Sequence, residues 1–251
     1  MRFLILCGIG RKEWDIMIKA VLFDMDGVLI DTEKYLTRFW QQAAREAGLE
    51  MELTECYLFR SFASKFASAA FREKYGDSYD YYAIRNRRKE LMKAHLEKNG
   101  IEIKPQVKGT LQALKEQGCC LAVVTATDEE RTEKYLKEAG IYDWFDSVIC
   151  ATMVERGKPF PDVYLYACQQ IGFSPEMCMA VEDSPNGVQA AFSAGLKTVM
   201  VPDLTLPDEE LKKKVVGVAP SLGSVLKYVE AENKMTKKES RGLINENSSN
   251  V

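Results

Sequence analysis

Two aspartates stand one residue apart in Asp24-Met25-Asp26-Gly27, directly after the apolar run Ile18 to Phe23. Three further polar clusters punctuate the chain. They are Thr125-Ala126-Thr127 after Cys119 to Val124, Gly157-Lys158-Pro159-Phe160-Pro161-Asp162, and Glu182-Asp183-Ser184-Pro185 after Met177 to Val181. Together they hold what a phosphoryl transfer requires: a nucleophile, a proton donor for the leaving oxygen, positive charge for the phosphoryl oxygens, and acids for a metal. Asp24 is the candidate nucleophile, because a carboxylate attacking phosphorus gives an aspartyl phosphate and divides hydrolysis into two easier steps. Asp26 is the candidate general acid, then base. The Thr125 hydroxyl, with the backbone N–H groups that follow it at Ala126, can hold a phosphate oxygen. Lys158 lies on a segment whose backbone Pro159 and Pro161 restrict, and can neutralise charge between Asp24 and the phosphate. Glu182 and Asp183, facing Asp24, make a hard-oxygen cluster suited to Mg²⁺. Asp183 is the preferred direct ligand, with Glu182 second.

Each cluster also has a plainer explanation. Asp26-Gly27 reads as a turn. Thr125 at a strand end reads as a helix cap. A lone lysine reads as a solvated side chain, and acids at a helix start favour the macrodipole. What resists the plainer account is the repeated placing of ionisable groups at the exits of apolar runs, since burying a carboxylate is costly without a partner or a cation.

The elements that must position these groups follow from the apolar pattern. Ile18 to Phe23, Cys119 to Val124, Ser147 to Ala151, Met177 to Val181 and Lys197 to Val201 are short, mostly continuous apolar runs, as in strands covered on both faces. Helical spacing separates them over 107–117, 129–139, 161–171 and 186–194, with Gly118, Gly140, Gly172 and Gly195 as stops. Strand–helix alternation predicts an α/β fold with a doubly wound parallel sheet. If Asp24, Thr125 and Asp183 share one site, the strands before them are neighbours, which gives the Rossmann-like order 3-2-1-4-5 with its switch point between strands 1 and 4. Between the first strand and the second lies an all-helical insert. Leu36, Phe39, Trp40, Ala43, Ala44 and Ala47 share one helical face ahead of Gly48, and 53–59, 62–75 and 81–98 read as three further helices.

The expected organisation is therefore a core of 17–33 and 105–232 and a helical cap of 34–104. Residues 1–16 are expected to be an extension without structural role, with Met17 as the start, and 233–251 a disordered polar tail. The 251 residues are 46% hydrophobic and 28% charged, with a formal net charge of -3. That balance argues against nucleic-acid and membrane-surface partners, and no stretch is long and apolar enough to span a bilayer. Seven cysteines without a C-x-x-C pattern, Cys119, Cys120, Cys150 and Cys178 among them, read as reduced core thiols, in keeping with a cytoplasmic monomer.

Asp24-x-Asp26-Gly27-Val28 followed by Asp31-Thr32-Glu33 resembles the first motif of the haloacid dehalogenase-like hydrolases, in the branch that includes β-phosphoglucomutase and small-molecule phosphatases. Lys158-Pro159-x-Pro161-Asp162-x-Tyr164 resembles the third motif, and the likeness runs from Ile18 to Val201. It implies a Mg²⁺-dependent phosphatase of small phosphorylated metabolites, with metal held by Asp24, Glu182, Asp183 and the backbone carbonyl of Asp26. It also implies a cap that opens and closes over the site. Some positions depart from the pattern. Leu36 stands where β-phosphoglucomutase has a histidine, Leu58 to Ser61 lacks the mutase's glycine and arginine arrangement, and Thr127 to Glu130 is acidic where the mutase has further polar phosphate contacts. A sugar phosphomutase is the alternative, and a catalytically silent binding protein on the same scaffold a further one. Arg60, Lys65, Arg72 and the Arg85/Arg87/Arg88 group read as solvated faces of cap helices, any of which could meet an anionic substrate. His95 reads as structural.

Overall fold

The computed structural model of the chain describes residues 17–57 and 64–248. Its first strand, β1 (Ala20–Phe23), is buried along its whole length. Side chains alternate along it. Val21 and Phe23 enter one apolar layer, and Ala20 and Leu22 the other. A strand covered on both faces must be central, and β1 is.

The helical insert follows, with α1 (Glu33–Glu46), α2 (Leu53–Cys56), α3 (Ser64–Tyr75) and α4 (Tyr81–Asn99). The chain then alternates through α5 (Val107–Glu116), β2 (Cys120–Thr125), α6 (Glu129–Glu138), β3 (Ser147–Cys150), α7 (Asp162–Ile171), β4 (Cys178–Glu182), α8 (Pro185–Ser193) and β5 (Lys197–Met200). It closes with α9 (Glu209–Lys212), β6 (Gly217–Val218) and α10 (Val225–Ser248). The sheet is parallel, in the order β3-β2-β1-β4-β5-β6. β1 pairs with β2 and β4 in matched register, Phe23 opposite both Val123 and Val181. Thr125 and Glu182 therefore end the two strands that flank Asp24. Side chains from α5, α6 and α10 fill one layer, and those from α7 and α8 fill the other.

The expected order of five strands is the observed one, extended by β6. Two residues, one of them glycine, give no apolar run to read. The fourth strand starts at Cys178, because Pro175–Met177 forms a 3₁₀ turn. The second helix of the insert ends at Cys56, and the continuation expected to residue 59 lies outside the described residues, as do Arg60 and the proposed extension 1–16. The disordered tail expected from 233 is corrected in part: α10 continues as helix to Ser248. Lys, Glu, Met and Ala are good helix formers, and low apolar content alone did not reveal the continuation.

The inserted helices have a small core of their own, with Trp40, Phe71, Tyr81 and Ile84 among its buried members. Entry and exit run side by side. Ile30 and Ile103 form an antiparallel bridge, and Asp31 N–H donates to Glu102 C=O at 2.8 Å. Lys104 adds ion pairs to Asp203 at 2.8 Å and Asp31 at 3.4 Å. Two paired connections join the helical insert to the sheet just past the carboxyl end of β1.

Candidate active site

Asp24 is the first residue past β1, and its N–H still donates to Val181 C=O at 2.9 Å. The carboxylate is thus held at the sheet's switch point, where ligands of open α/β sheets bind. Lys158 reaches it from the loop before α7. Its ammonium lies 2.6 Å from Asp24 Oδ1 and 2.6 Å from Glu182 Oε1, and donates to Val124 C=O at 2.9 Å. The whole side chain is 1% exposed. Burial pulls the Lys158 pKa down, but Asp24 and Glu182 outweigh it and hold the ammonium above its ordinary range. Burial pushes the Asp24 carboxyl well up, Lys158 opposes this, and Glu182 and Asp26 add to it. A cation placed here would act on Asp24 in the same sense as Lys158.

Tyr164 donates to Glu182 Oε1 at 2.6 Å. Burial, then the Glu182 charge, raises its phenol far above the usual range, so it remains a donor. Both donors converge on Oε1. Glu182 Oε2 is buried with no hydrogen-bond partner among the described residues. Carboxylate oxygens of Asp24, Glu182 and Asp183 lie within 4.8 Å of one another, and all three residues are buried. Such an orphaned oxygen within an oxygen-only cluster is the donor set of a hard divalent cation. Two glycines make the cluster possible. A Cβ on Gly187 would come within 2.0 Å of the Glu182 carboxyl, and one on Gly27 within 2.5 Å of Asp183 Oδ2. Gly27 also has φ +83°, a conformation other residues rarely adopt.

Asp26 takes no part in that cluster through its side chain. Thr32 Oγ1 donates to its Oδ1, and Thr127 Oγ1 donates to its Oδ2 at 3.0 Å. Two neutral hydroxyls therefore hold this carboxylate, in contrast to Asp24, which meets a buried ammonium. Thr125 is buried at the end of β2, and its hydroxyl accepts from Thr127 N–H at 3.1 Å. The cap-like contact expected of Thr125 is therefore present. The α6 cap itself is Asp128, which accepts from Arg131 N–H.

Asp24, Asp26, Thr125, Ala126 and Thr127 form one side of a cavity whose opposite wall comes from α1 and α4, with Leu36, Trp40, Arg85 and Arg88. Lys158, Glu182 and Asp183 lie behind Asp24. The structure thus brings all seven sequence-predicted residues to one end of the sheet. Thr32, Thr127 and Tyr164 were not singled out by the sequence reading. Thr32 sits in the Asp31-Thr32-Glu33 run, six residues past Asp26, and Tyr164 in the run that opens with Lys158. His95 packs against Tyr35 and Phe39 with centroids at 4.1 and 5.5 Å, a structural role. Arg72 is exposed and paired with Asp77.

Comparison with known proteins gives a consistent result. The model of the haloacid dehalogenase-like hydrolase family matches residues 18–195. Hexitol phosphatase A of Escherichia coli (strain K12) is 33% identical over 184 residues, covering 73% of this chain and 82% of that one. The fructose-1-phosphate phosphatase YqaB of the same organism is 28% identical, covering 72% and 95%. Among solved structures, CbbY from Rhodobacter sphaeroides in complex with phosphate superposes with TM-score 0.70 and 28% identity, over 82% of this chain and 96% of that chain.

Proposed function

From the premise that the chain belongs to the haloacid dehalogenase-like hydrolases, we propose that it is a Mg²⁺-dependent phosphatase that removes phosphate from a small phosphorylated metabolite, a sugar phosphate being the nearest class. The observation that carries the reading is the Lys158 ammonium, buried at 2.6 Å from both Asp24 and Glu182, beside an Asp26 held only by hydroxyls. One carboxylate meets a buried ammonium, and its neighbour meets only neutral hydroxyls.

In this reading an Asp24 oxygen attacks phosphorus, and the P–O bond to the leaving group breaks. Asp26, protonated at that moment, gives its proton to the leaving oxygen. The Thr125 hydroxyl, the N–H groups after it and Lys158 hold the phosphoryl oxygens through the change of charge. Asp26, now a base, takes a proton from water, whose oxygen attacks the phosphorus of the aspartyl phosphate and returns Asp24 as carboxylate with release of inorganic phosphate. Asp24, Glu182, Asp183 and the Asp26 carbonyl would hold Mg²⁺, which when bound supplies charge that offsets repulsion between carboxylate and phosphate. The helical cap covers the cavity and excludes water.

Asp24→Asn tests the reading. Phosphate release from p-nitrophenyl phosphate should fall by at least about a thousandfold, with an unchanged circular dichroism spectrum. A variant that still releases phosphate at a comparable rate rejects Asp24 as nucleophile. Release of phosphate rather than an isomer separates this activity from that of a sugar phosphomutase.

A further inference from the structure

Tyr164 enters neither step of the reaction above, yet it is built into the site. It lies in the first turn of α7, whose other buried positions are Val163, Ala167 and Cys168. Its side chain is fully buried in an apolar layer with Ala20, Leu22, Val124 and Ala180. A phenylalanine would satisfy that packing equally well. The hydroxyl adds a polar group to a dry layer, which is costly unless a partner repays it.

That partner is Glu182 Oε1, which accepts from the hydroxyl at 2.6 Å and also takes the Lys158 ammonium at 2.6 Å. Lys158 has three donors and three oxygens to serve: Asp24 Oδ1 at 2.6 Å, Val124 C=O at 2.9 Å and Glu182 Oε1. An ammonium shared in this way holds a carboxylate close but does not fix its plane, because either oxygen can meet it. A second donor arriving from α7 removes that freedom. Oε1 is occupied twice, and Oε2 is left buried with no hydrogen-bond partner among the described residues. Gly187 closes the space behind, since a Cβ there would fall 2.0 Å from Oε2. The Tyr164 ring completes the fit, with the Lys158 ammonium 5.5 Å from its centroid.

We propose, resting on the reading above that Asp24, Glu182 and Asp183 hold a divalent cation, that Tyr164 is a positioning residue: by occupying Glu182 Oε1 it keeps Oε2 turned to the cation and makes the site select Mg²⁺ over Ca²⁺. Mg²⁺ demands near-ideal octahedral geometry at short distances and penalises a ligand that can turn, whereas Ca²⁺ accepts longer and more variable coordination. Groups that orient metal ligands, without touching the metal, contribute about tenfold or more to affinity.

Calorimetric titration of the full chain with MgCl₂ and, separately, with CaCl₂ tests this without substrate. Tyr164→Phe removes one oxygen and keeps the ring. It should weaken Mg²⁺ binding about tenfold and Ca²⁺ binding about threefold at most, so that the ratio of the two dissociation constants moves toward Ca²⁺. Tyr164→Met, which fills much of the same space without a donor, gives the same readout if Tyr164→Phe does not fold. Cys168→Ala, one turn along α7 in the same buried layer, is the packing control: it should lower Tm and leave the ratio unchanged. Unaltered Mg²⁺ affinity in Tyr164→Phe, or an equal fall for both cations, overturns the inference while the metal reading stands. If the unsubstituted chain binds neither cation, the metal reading itself fails, and this inference falls with it.

Discussion

On the floor of the cavity Lys158 meets two carboxylates at 2.6 Å, and Tyr164 closes a third contact on Glu182. On the wall made by α4, Arg85 and Arg88 meet no carboxylate at all within 4 Å among the described residues. Both regions bury charge, yet one is cross-paired and the other is left open. Cross-pairing fixes the position of reacting groups before anything binds, which lowers the cost of reaching a charged transition state. Open charge costs stability in the free protein and is recovered only when a complementary ligand arrives.

The contrast breaks most visibly at Lys158. Lys158→Met removes the one cation from three buried acids and should cost about 3–5 kcal/mol in unfolding free energy without metal, with activity lost. Mg²⁺ should restore part of the deficit, because it binds the same acids. A loss below about 1 kcal/mol in denaturant titration would mean that the floor is not held by that pairing.

Metal response is the next test. Saturating Mg²⁺ at a hundred times its dissociation constant should stabilise the unsubstituted chain by about 2.7 kcal/mol, read as a rise in Tm, and chelation should abolish phosphate release. Asp183→Asn should remove both responses. A Tm rise that survives in Asp183→Asn would place the cation elsewhere. Gly27→Ala sharpens the same point more gently. A side chain at φ +83° costs about 1–2 kcal/mol, and its Cβ would meet Asp183 Oδ2 at 2.5 Å. The unfolding free energy should fall by that amount, read in denaturant titration, and Mg²⁺ should bind more weakly although no ligand is replaced.

These two regions were not equally legible. The floor announces itself because its residues interrupt apolar strands. Asp24, Thr125 and Glu182 each end a run that burial demands, and the parallel order then brings the three ends together. Lys158 was readable through the prolines after it. Its ties to both Asp24 and Glu182 were not, since they depend on a loop path that no local pattern encodes. Thr32 and Thr127 were hidden for a similar reason: a hydroxyl that holds a carboxylate looks like any cap or loop residue. On the wall only Arg88 departs from the solvated face expected of α4, a helix rich in Arg, Lys and Glu. The signal was present all the same. Tyr81, Ile84, Met92 and Leu96 define a seam with one missing member, and Arg88 occupies that slot. An arginine on an apolar seam marks a buried charge in search of a partner, whereas the same residue one position away marks nothing.

That neighbouring position gives the smallest expected effect and the sharpest control. Arg87 follows Arg85 by two residues and precedes Arg88 by one, so all three contribute to the same run of positive charge in the sequence. A step of one residue along a helix turns a side chain through about 100°, and Arg87 points to solvent. There it pairs with Glu46 at 2.6 Å and Glu90 at 3.0 Å, all three side chains well exposed. Exposed pairs of this kind contribute little because water screens them. Arg87→Gln should therefore leave phosphate release within about twofold of the unsubstituted rate, with Tm unchanged, while Arg88→Gln, at a buried position, should shift Tm. If instead Arg87→Gln shifts Tm as strongly as Arg88→Gln, the exposed pairs with Glu46 and Glu90 carry the stability rather than the buried face of α4, and raising ionic strength would erase the Arg87 effect.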